Sequence, residues 1–253
     1  MKHSISTLAI LLTCSSVAWA DLPTSKSSDE WKFGIGVGVE SQFSPYLGVD
    51  TQTNVIPAFT LDVGNFSLRG PNMSYRFFYN ETISVSALAR MREEKLDSSE
   101  SDELDEIFDR DETIEMGIGL AYKTQIGDVN FSFFNDVEGN HDGYEASLGL
   151  EKSFKLSNSW GITPYTRINF RSDDLNDYYF GVSSAEANSS RLAYTAQSTT
   201  DFQFGAKALY KIDRNQMLLF ESSFSTLGSG ITESPIVEDS SSSDLKAIYI
   251  YRF

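Results

Sequence analysis

Residues 245–253 read "LKAIYIYRF" and finish on Phe253. Side chains of a β-strand alternate between its two faces. One face of this segment is therefore apolar or aromatic throughout, with Leu245, Ala247, Tyr249, Tyr251 and Phe253. The opposite face carries Lys246, Ile248, Ile250 and Arg252. A fully apolar strand face meets a core in a soluble protein and lipid in an outer-membrane barrel. The other segments decide between the two.

The same alternation recurs along the chain. Residues 31–40, "WKFGIGVGVE", place an aromatic or branched residue at every second position, opposite glycines and charges. Similar rows run through residues 82–92, 113–123, 159–171 and 201–211. Most of these segments span nine to thirteen residues, which suits tilted membrane strands, whereas strands of a soluble β-sandwich average about five or six. The pattern predicts an all-β fold, a transmembrane antiparallel outer-membrane β-barrel.

The lengths of the connections predict the strand count. Residues 125–128, 155–159 and 212–215 form tight turns, while residues 93–112, 172–200 and 227–243 form long loops. Bacterial barrels have short periplasmic turns and long external loops, so the long segments are expected outside. Residues 53–80 can hold three short strands or one kinked strand. An even count requires twelve strands or ten, and we favour twelve.

The first twenty residues, "MKHSISTLAILLTCSSVAWA", have a basic start, an apolar centre and a small-x-small site at Ala18–Ala20. This pattern predicts a secretory signal peptide over residues 1–20, with lipidation of Cys14 as the less favoured alternative. Residues 21–30 are then a short periplasmic segment, and residues 31–253 are the barrel. Because Cys14 is the sole cysteine, disulfides and cysteine metal sites are excluded from the exported chain.

Charge excludes some partners and raises one open question. The formal net charge of −16 argues against nucleic acid as a partner, since phosphate binding depends on Lys and Arg.

Residues 93–112 hold eleven carboxylates and two basic residues without the spacing of an EF-hand loop. They form a solvated loop or a weak divalent-cation site. Leu104, Ile107 and Phe108 have helical spacing and are expected to dock as one turn over the barrel mouth.

No catalytic constellation is present in the sequence. His141, in "EGNHDG", is the one histidine after the predicted signal peptide, and we interpret it as a polar turn residue. A nucleophile relay needs more positioned groups than this, so the sequence predicts neither an enzyme nor a cofactor.

The luminal face is expected to carry both signs of charge. It is then either a weakly selective pore or a filled interior. Its charged residues are Arg90, Arg92, Arg167, Arg171, Lys207 and Lys211 with Glu115, Glu145, Glu151 and Glu221.

Five stretches in order along the chain resemble the MipA/OmpV family of outer-membrane proteins. They are "SPYLGVDTQTNVIPAF" (44–59), "SDELDEIFDRDETIEMGIGL" (101–120), "DVEGNHDGYEASLGLEKSF" (136–154), "DDLNDYYFGVSSAEA" (173–187) and "ESPIVEDSSSSDLKAIYIYRF" (233–253). The family-motif residues are Tyr178, Tyr179, Gly181, Val182, Ser234 and Pro235, and the C-terminal insertion signal is Tyr249, Tyr251 and Phe253. The segment 101–120 departs from the family in lacking a Gly-Met pair.

The resemblance implies a barrel in a Gram-negative outer membrane, in contact with lipid and lipopolysaccharide. It also implies a non-enzymatic scaffold for murein hydrolase–synthase complexes, with a lytic transglycosylase and a murein synthase as partners. A small outer-membrane channel or an adhesin is the alternative. No catalytic, cofactor-binding or metal-binding residues carry over from the family.

Overall fold

The structure, a computed structural model, describes residues 31–253, so the predicted signal peptide and residues 21–30 lie outside the described part. Thirteen β-strands lie between residues 31 and 253. They are β1 (Lys32–Phe43), β2 (Gln52–Val63), β3 (Phe66–Arg69), β4 (Asn72–Tyr79), β5 (Ile83–Arg92), β6 (Thr113–Lys123), β7 (Asp128–Asp136), β8 (Tyr144–Glu151), β9 (Phe154–Lys155), β10 (Trp160–Arg171), β11 (Thr199–Lys211), β12 (Gln216–Thr226) and β13 (Ser241–Arg252). Two helices, α1 (Asp173–Phe180) and α2 (Ser229–Thr232), lie in loops.

The strands form one closed antiparallel barrel. Each strand pairs with its neighbours in sequence, and β13 returns to pair with β1 from Gly34↔Arg252 to Phe43↔Ser243. The short segments β8 and β9 both pair with β10 and form one strand of the barrel interrupted at residues 152–153. The barrel therefore has twelve strands, as predicted. Closure pairs the first strand with the last, whose edges an open sheet would expose to lipid.

Residues 53–80 form three strands because two turns lie close together. Gly64 and Gly70 both have positive φ, at 58° and 52°, a conformation that glycine adopts without a steric penalty. The Gly64–Asn65 turn joins β2 to β3, and the Gly70–Pro71 turn joins β3 to β4. Only four residues remain between these turns, so β3 is the shortest strand of this region.

The apolar rows found in the sequence face outward. Trp31, Phe33, Ile35, Val37 and Val39 keep between 43% and 69% of their surface exposed. Aromatic pairs mark two levels on this outer surface. Phe33 stacks on Phe253 and Trp160 packs on Tyr210 near one end of the strands, while Phe204–Phe224 and Phe133–Tyr144 lie toward the other. Two aromatic belts with an apolar band between them are the signature of a lipid-facing barrel wall.

The long loops leave one end of the barrel, which we call the outer end, and the tight turns lie at the other, the periplasmic end. The outer loops pack together into a cap with its own apolar core. This core consists of Tyr46, Val49, Leu96, Leu104, Ile107, Leu175, Tyr179, Phe180, Val182, Ala196, Ile231 and Ile236. Across residues 31–253, no helix has the length and apolar content needed to cross a membrane.

Candidate functional site: the lumen and its cap

A tetrad of charged side chains crosses the outer half of the lumen. Its members are Arg90 and Arg92 of β5, Glu115 of β6 and Glu145 of β8. Arg90 lies 2.6 Å from Glu115 and 2.9 Å from Glu145, and Arg92 lies 2.8 Å and 2.9 Å from the same carboxylates. Each arginine thus bridges both carboxylates through charge-assisted hydrogen bonds. No side chain of the tetrad is more than 20% exposed.

Strand register explains why these four groups meet. Arg90 lies opposite Glu115 in the β5–β6 ladder. Glu145 lies opposite Phe134 of β7, and the guanidinium of Arg90 sits 3.9 Å above the centre of the Phe134 ring. Arg90 therefore reaches across β6 and β7 to Glu145, over an aromatic floor. The tetrad therefore ties β8 to the adjacent strands β5 and β6.

His141 borders the tetrad and lies in the turn before β8, where the sequence places it, although the side chain is buried. The residue is buried, its Nδ1 accepts a hydrogen bond from the Gly143 N–H at 2.9 Å, and its Nε2 lies 3.3 Å from Glu115 Oε1. The nearby carboxylate of Asp136 accepts hydrogen bonds from the His141 and Asp142 N–H groups, which folds the loop inward. In the described residues, the partners of His141 fit a structural role.

The charged network continues from the tetrad toward the cap. Arg92 lies 3.3 Å from Glu94, and Glu94 pairs with Arg171 at 2.7 Å. The guanidinium of Arg171 lies 5.4 Å from the centre of the Phe180 ring in the cap. The lumen and the cap are therefore joined by paired charges.

A second group of polar contacts lies deeper in the barrel. Lys246 pairs with Glu40 at 2.6 Å, and the Tyr165 hydroxyl donates to Glu221 at 3.0 Å. Lys207 lies 3.6 Å from Glu151. These contacts join β13 to β1, β10 to β12 and β11 to β8. The lumen charges that the sequence left unpaired are therefore largely paired with one another.

Apolar side chains fill the lumen beside β1, β2, β12 and β13. They are Ile56, Ala58, Met217, Ile248 and Ile250, with Leu209 and Leu219 packed against them. Gly38 of β1 makes room for them, because a Cβ there would lie 2.8 Å from Ile248 Cγ1 and 3.2 Å from Ile56 Cγ1. Apolar side chains therefore fill this side of the lumen, in the space that the inward-facing glycine leaves open.

Helix α1 positions the predicted family motif in the cap. Ser172 caps the helix by accepting a hydrogen bond from the Leu175 N–H, and Asp173 and Asp174 favour its positive N-terminal end. The helix ends at Gly181, whose N–H donates to the Asp177 carbonyl at 2.9 Å. A Cβ at Gly181 would lie 2.3 Å from that carbonyl oxygen, so this turn requires glycine.

The six motif residues come together in the cap. Tyr179 is fully buried, and its carbonyl accepts from the Tyr46 hydroxyl at 3.2 Å. The Ser234 hydroxyl donates to the Phe180 carbonyl at 2.6 Å, which joins the loop containing Pro235 to the motif. Val182 pairs with Tyr194, and Tyr178 lies edge-on to Tyr179. These contacts place the motif in loop packing.

Two arginines hold the acidic loop 93–112 against the loop 172–198. One, Arg110, belongs to the acidic loop, and the other, Arg191, belongs to the loop 172–198. Arg110 donates to the Tyr178 carbonyl at 2.6 Å and to Glu186 at 2.7 Å. Arg191 donates to the carbonyls of Glu103 and Asp105 at 3.0 and 2.8 Å. The acidic chain is therefore tied down through its backbone carbonyls, which accept hydrogen bonds from cationic partners.

Docking of the predicted apolar turn is confirmed for two residues and wrong for the third. Leu104 and Ile107 are buried in the cap, but the ring of Phe108 is 59% exposed. The Phe108 N–H donates to Glu186 at 2.9 Å, which turns the backbone so that the ring points outward. No group of three or more His, Cys, Asp or Glu in residues 31–253 is arranged to hold a metal ion.

The carboxylate of Glu186 accepts hydrogen bonds from several parts of the cap. Burial raises the pKa of Glu186, but hydrogen bonds from Ser183, the Phe108 N–H and Arg110 outweigh burial and lower the pKa to about 2. The carboxylate is therefore ionised over the ordinary pH range. Sequence reasoning missed Glu186 and Arg191, because nothing local separates them from other charged loop residues.

The insertion-signal residues lie where the sequence predicts them, on the outward row of β13. Tyr251 packs edge-on against Phe253, and Phe253 stacks on Phe33 with ring centres 5.7 Å apart. The Phe253 N–H donates to the Phe33 carbonyl at 2.8 Å. The Tyr249 hydroxyl donates to the Gln216 side chain on β12. These residues complete the seam between the last strand and the first.

Comparison with known proteins now identifies the family. The family model described as MltA-interacting protein MipA matches residues 35–253. The chain belongs to the MipA family. The resemblance seen in the sequence is thereby confirmed, together with the prediction of a barrel in the Gram-negative outer membrane.

Several relatives have similar lengths. The putative outer membrane protein YiaT of Escherichia coli K12 is 25% identical over 90% of this chain and 94% of that protein. OmpV of Vibrio cholerae is 25% identical over 85% and 88%, and the MltA-interacting protein of Escherichia coli K12 is 24% identical over 88% and 91%. A solved outer-membrane channel from Pseudomonas putida F1 aligns with a TM-score of 0.48 and 9% identity over 91% of this chain and 99% of the channel.

Proposed function

We propose that this protein is a non-enzymatic scaffold of the outer membrane that holds a lytic transglycosylase at the periplasmic end of its barrel. A murein synthase is the second partner that the family implies. The observation that carries the proposal is the network of paired charges that crosses the lumen under a packed cap. A small channel is the alternative function.

The interior supports a scaffold because most of its charges are held in internal pairs. A pore needs polar groups that bind a passing solute weakly and release it. Here Glu115 already accepts hydrogen bonds from two guanidinium groups. A solute that displaced Glu115 from the two guanidinium groups would leave buried charges without partners, which is strongly unfavourable. The cap adds a further barrier at the outer end.

The periplasmic turns support the location of the partner. Although the whole chain has a net charge of −16, exposed cations gather at two successive turns of this end, next to a third turn that carries an exposed aliphatic residue. We call this surface the basic rim, and it consists of Lys152, Lys155, Lys211 and Arg214 with the exposed aliphatic residues Ile126, Leu156 and Ile212. Cations interspersed with exposed aliphatic side chains favour a partner surface that is acidic and partly apolar.

The relatives support the class of partner. One of them carries the name MltA-interacting protein, and the family is described by the same interaction. This chain spans about the same length as that relative, so it has room for an equivalent contact surface. We therefore take a lytic transglycosylase as the partner to be tested.

Two measurements on the refolded protein test the proposal. Planar-bilayer recording should show no steady open conductance, because the paired charges and the cap block the way through the barrel. Immobilised protein should capture a purified lytic transglycosylase, and charge reversal on the basic rim (Lys155→Glu with Lys211→Glu and Arg214→Glu) should weaken capture. Lys95→Glu, a charge reversal on the outer loop, is the matched control and should leave capture unchanged.

The outcomes separate the two functions. Steady conductance from the wild-type barrel would replace the scaffold with a channel. Equal capture by the wild type and the rim variant would show that the basic rim contacts lipid head groups and not the enzyme. Failure of the wild type to capture the enzyme at all would refute this partner.

A further inference from the structure

The barrel wall has a notch between β2 and β5 in its outer half. The β3–β4 hairpin turns back at Gly70–Pro71, and its last hydrogen bond to β2 runs from the Gly70 N–H to the Phe59 carbonyl at 2.9 Å. Residues 52–58 of β2 pair with β1 but have no ladder on their other side. At the usual rise per residue, this unpaired edge is about 20 Å long.

The sequence of β2 is adapted to an unpaired edge. In an antiparallel strand, the N–H and C=O of one residue point the same way, and residues two apart share that direction. Because the Phe59 carbonyl points toward the hairpin, position 57 points its backbone across the notch. Residue 57 is proline, which has no N–H to leave unpaired.

A cavity lies directly behind the notch. It has a volume of about 280 Å³, and Gln52 of β2, Asn72 of β4 and Met91 of β5 line it at the notch. Arg90, Ser132 and Ser147 line it farther inside. The cap covers the outer end of the barrel, so in the described residues the notch gives this cavity a sideways approach from the membrane.

The notch is apolar on its lipid side and polar within. Val55 and Met73 flank it on the outer surface, where both are exposed. Unpaired backbone groups facing hydrocarbon cost several kcal/mol each, so a polar occupant at this edge would stabilise the wall. An amphiphile with its tail in lipid and its head in the cavity meets both requirements.

The side chains that line the cavity indicate which class of head group it can bind. The cavity is lined by five cationic and six acidic side chains, so its charges are nearly balanced and favour neither an anionic nor a strongly cationic ligand. What it adds is a set of amides and hydroxyls, from Gln52, Asn169, Gln203, Ser132 and Ser147. Such a lining donates to and accepts from uncharged hydroxyl groups.

We propose that the β2–β5 notch is a lateral port, through which an amphiphile with a neutral, hydroxyl-rich head enters the lumen from the outer leaflet. This binding activity goes beyond the scaffold function. It does not require a water-filled path through the barrel, since the port opens into the membrane.

Thiol labelling in proteoliposomes tests the port. Cys14 is the sole cysteine and lies in the predicted signal peptide, so Ser132→Cys supplies the single thiol of the exported chain, inside the cavity. A maleimide on a dodecyl chain, dissolved in the bilayer, should label this thiol faster than a polymer-linked maleimide added to the water. A monoacylglycerol should protect the thiol better than a fatty acid with the same chain.

A second variant blocks the notch. Adding Asn72→Trp to the reporter is expected to slow labelling by the dodecyl reagent about tenfold, equivalent to about 1.4 kcal/mol in the barrier. Ser74→Trp, two residues farther along the same face of β4, is the control and should leave the rate unchanged. Heat-modifiable migration of both variants on gels checks that they fold.

Three results would overturn the port. They are faster labelling by the polymer-linked reagent, an unchanged rate in the Asn72→Trp variant, and an equal slowing by Ser74→Trp. Better protection by the fatty acid would refute the neutral head group. Because conductance and enzyme capture are not read out here, failure of the port is distinguishable from failure of the scaffold.

Discussion

Removing the charge of Glu115 is expected to destabilise the barrel more than any single change at an exposed ion pair. The Glu115 side chain is fully buried and accepts hydrogen bonds from Arg90 and Arg92 at 2.6 and 2.8 Å. In Glu115→Gln, two arginines share the remaining carboxylates of Glu145 and Glu94. Breaking one partner out of a buried ion pair costs about 3–5 kcal/mol. Because Glu145 and Glu94 still compensate part of the charge, we expect the lower end, about 3 kcal/mol.

Urea unfolding of the refolded protein in lipid vesicles measures this cost. Trp31 and Trp160 lie on the outer surface of the barrel wall, and their fluorescence reports its loss. The control is Glu100→Gln, since Glu100 pairs with Lys95 at 3.9 Å in a more exposed setting, where removal costs about 0–1 kcal/mol.

A double variant tests whether the loss comes from the pairing itself. Adding Arg92→Gln to Glu115→Gln leaves Arg90 paired with Glu145 at 2.9 Å. The loss in unfolding free energy of the double variant should be smaller than the sum of the two single losses. The difference, the coupling energy, is expected to be about 1–3 kcal/mol. A loss for Glu115→Gln that equals the loss for Glu100→Gln would refute the reasoning, because it would mean that water solvates the tetrad.

Three further predictions concern the seam, the acidic loop and the cap. Deleting Phe253 removes its stacking and hydrogen bond to Phe33, and the protein is expected to stay unassembled in the periplasm; normal heat-modifiable migration and membrane yield would contradict this. An epitope tag after the exposed Ser99 should bind antibody on intact cells, whereas binding only after the outer membrane is breached would reverse the strand orientation. The pKa of Glu186 is lowered from 4.5 to about 2 in the folded cap, so its contribution to stability is complete above pH 4.5 and is lost as the pH falls toward 2. The protection factors of residues 93–112, which are exchange rates corrected for the intrinsic effect of pH, should therefore fall over that pH range in the wild type. The fall should be smaller in Glu186→Gln, which starts from a weakened cap.

Much of the barrel follows from the sequence alone. The outward rows of β1 and β13 were readable because alternation is a local property and lipid presents the same surface to every strand. The turns at Gly64 and Gly70 made three strands possible in residues 53–80, and closure with an even strand count completed the twelve. The common direction of the long loops follows from the same parity.

The interior depended on tertiary structure, because an inward polar row does not specify its partner. Arg90 finds Glu145 at a separation of 55 residues, and that meeting depends on the register of three ladders. Ile107 is buried while the adjacent Phe108 is exposed, since the hydrogen bond that the Phe108 N–H donates to the distant Glu186 sets the backbone direction. The notch likewise appears only when the short hairpin is placed between β2 and β5. Local periodicity decides which face a side chain takes, whereas register and barrel closure decide what that side chain meets.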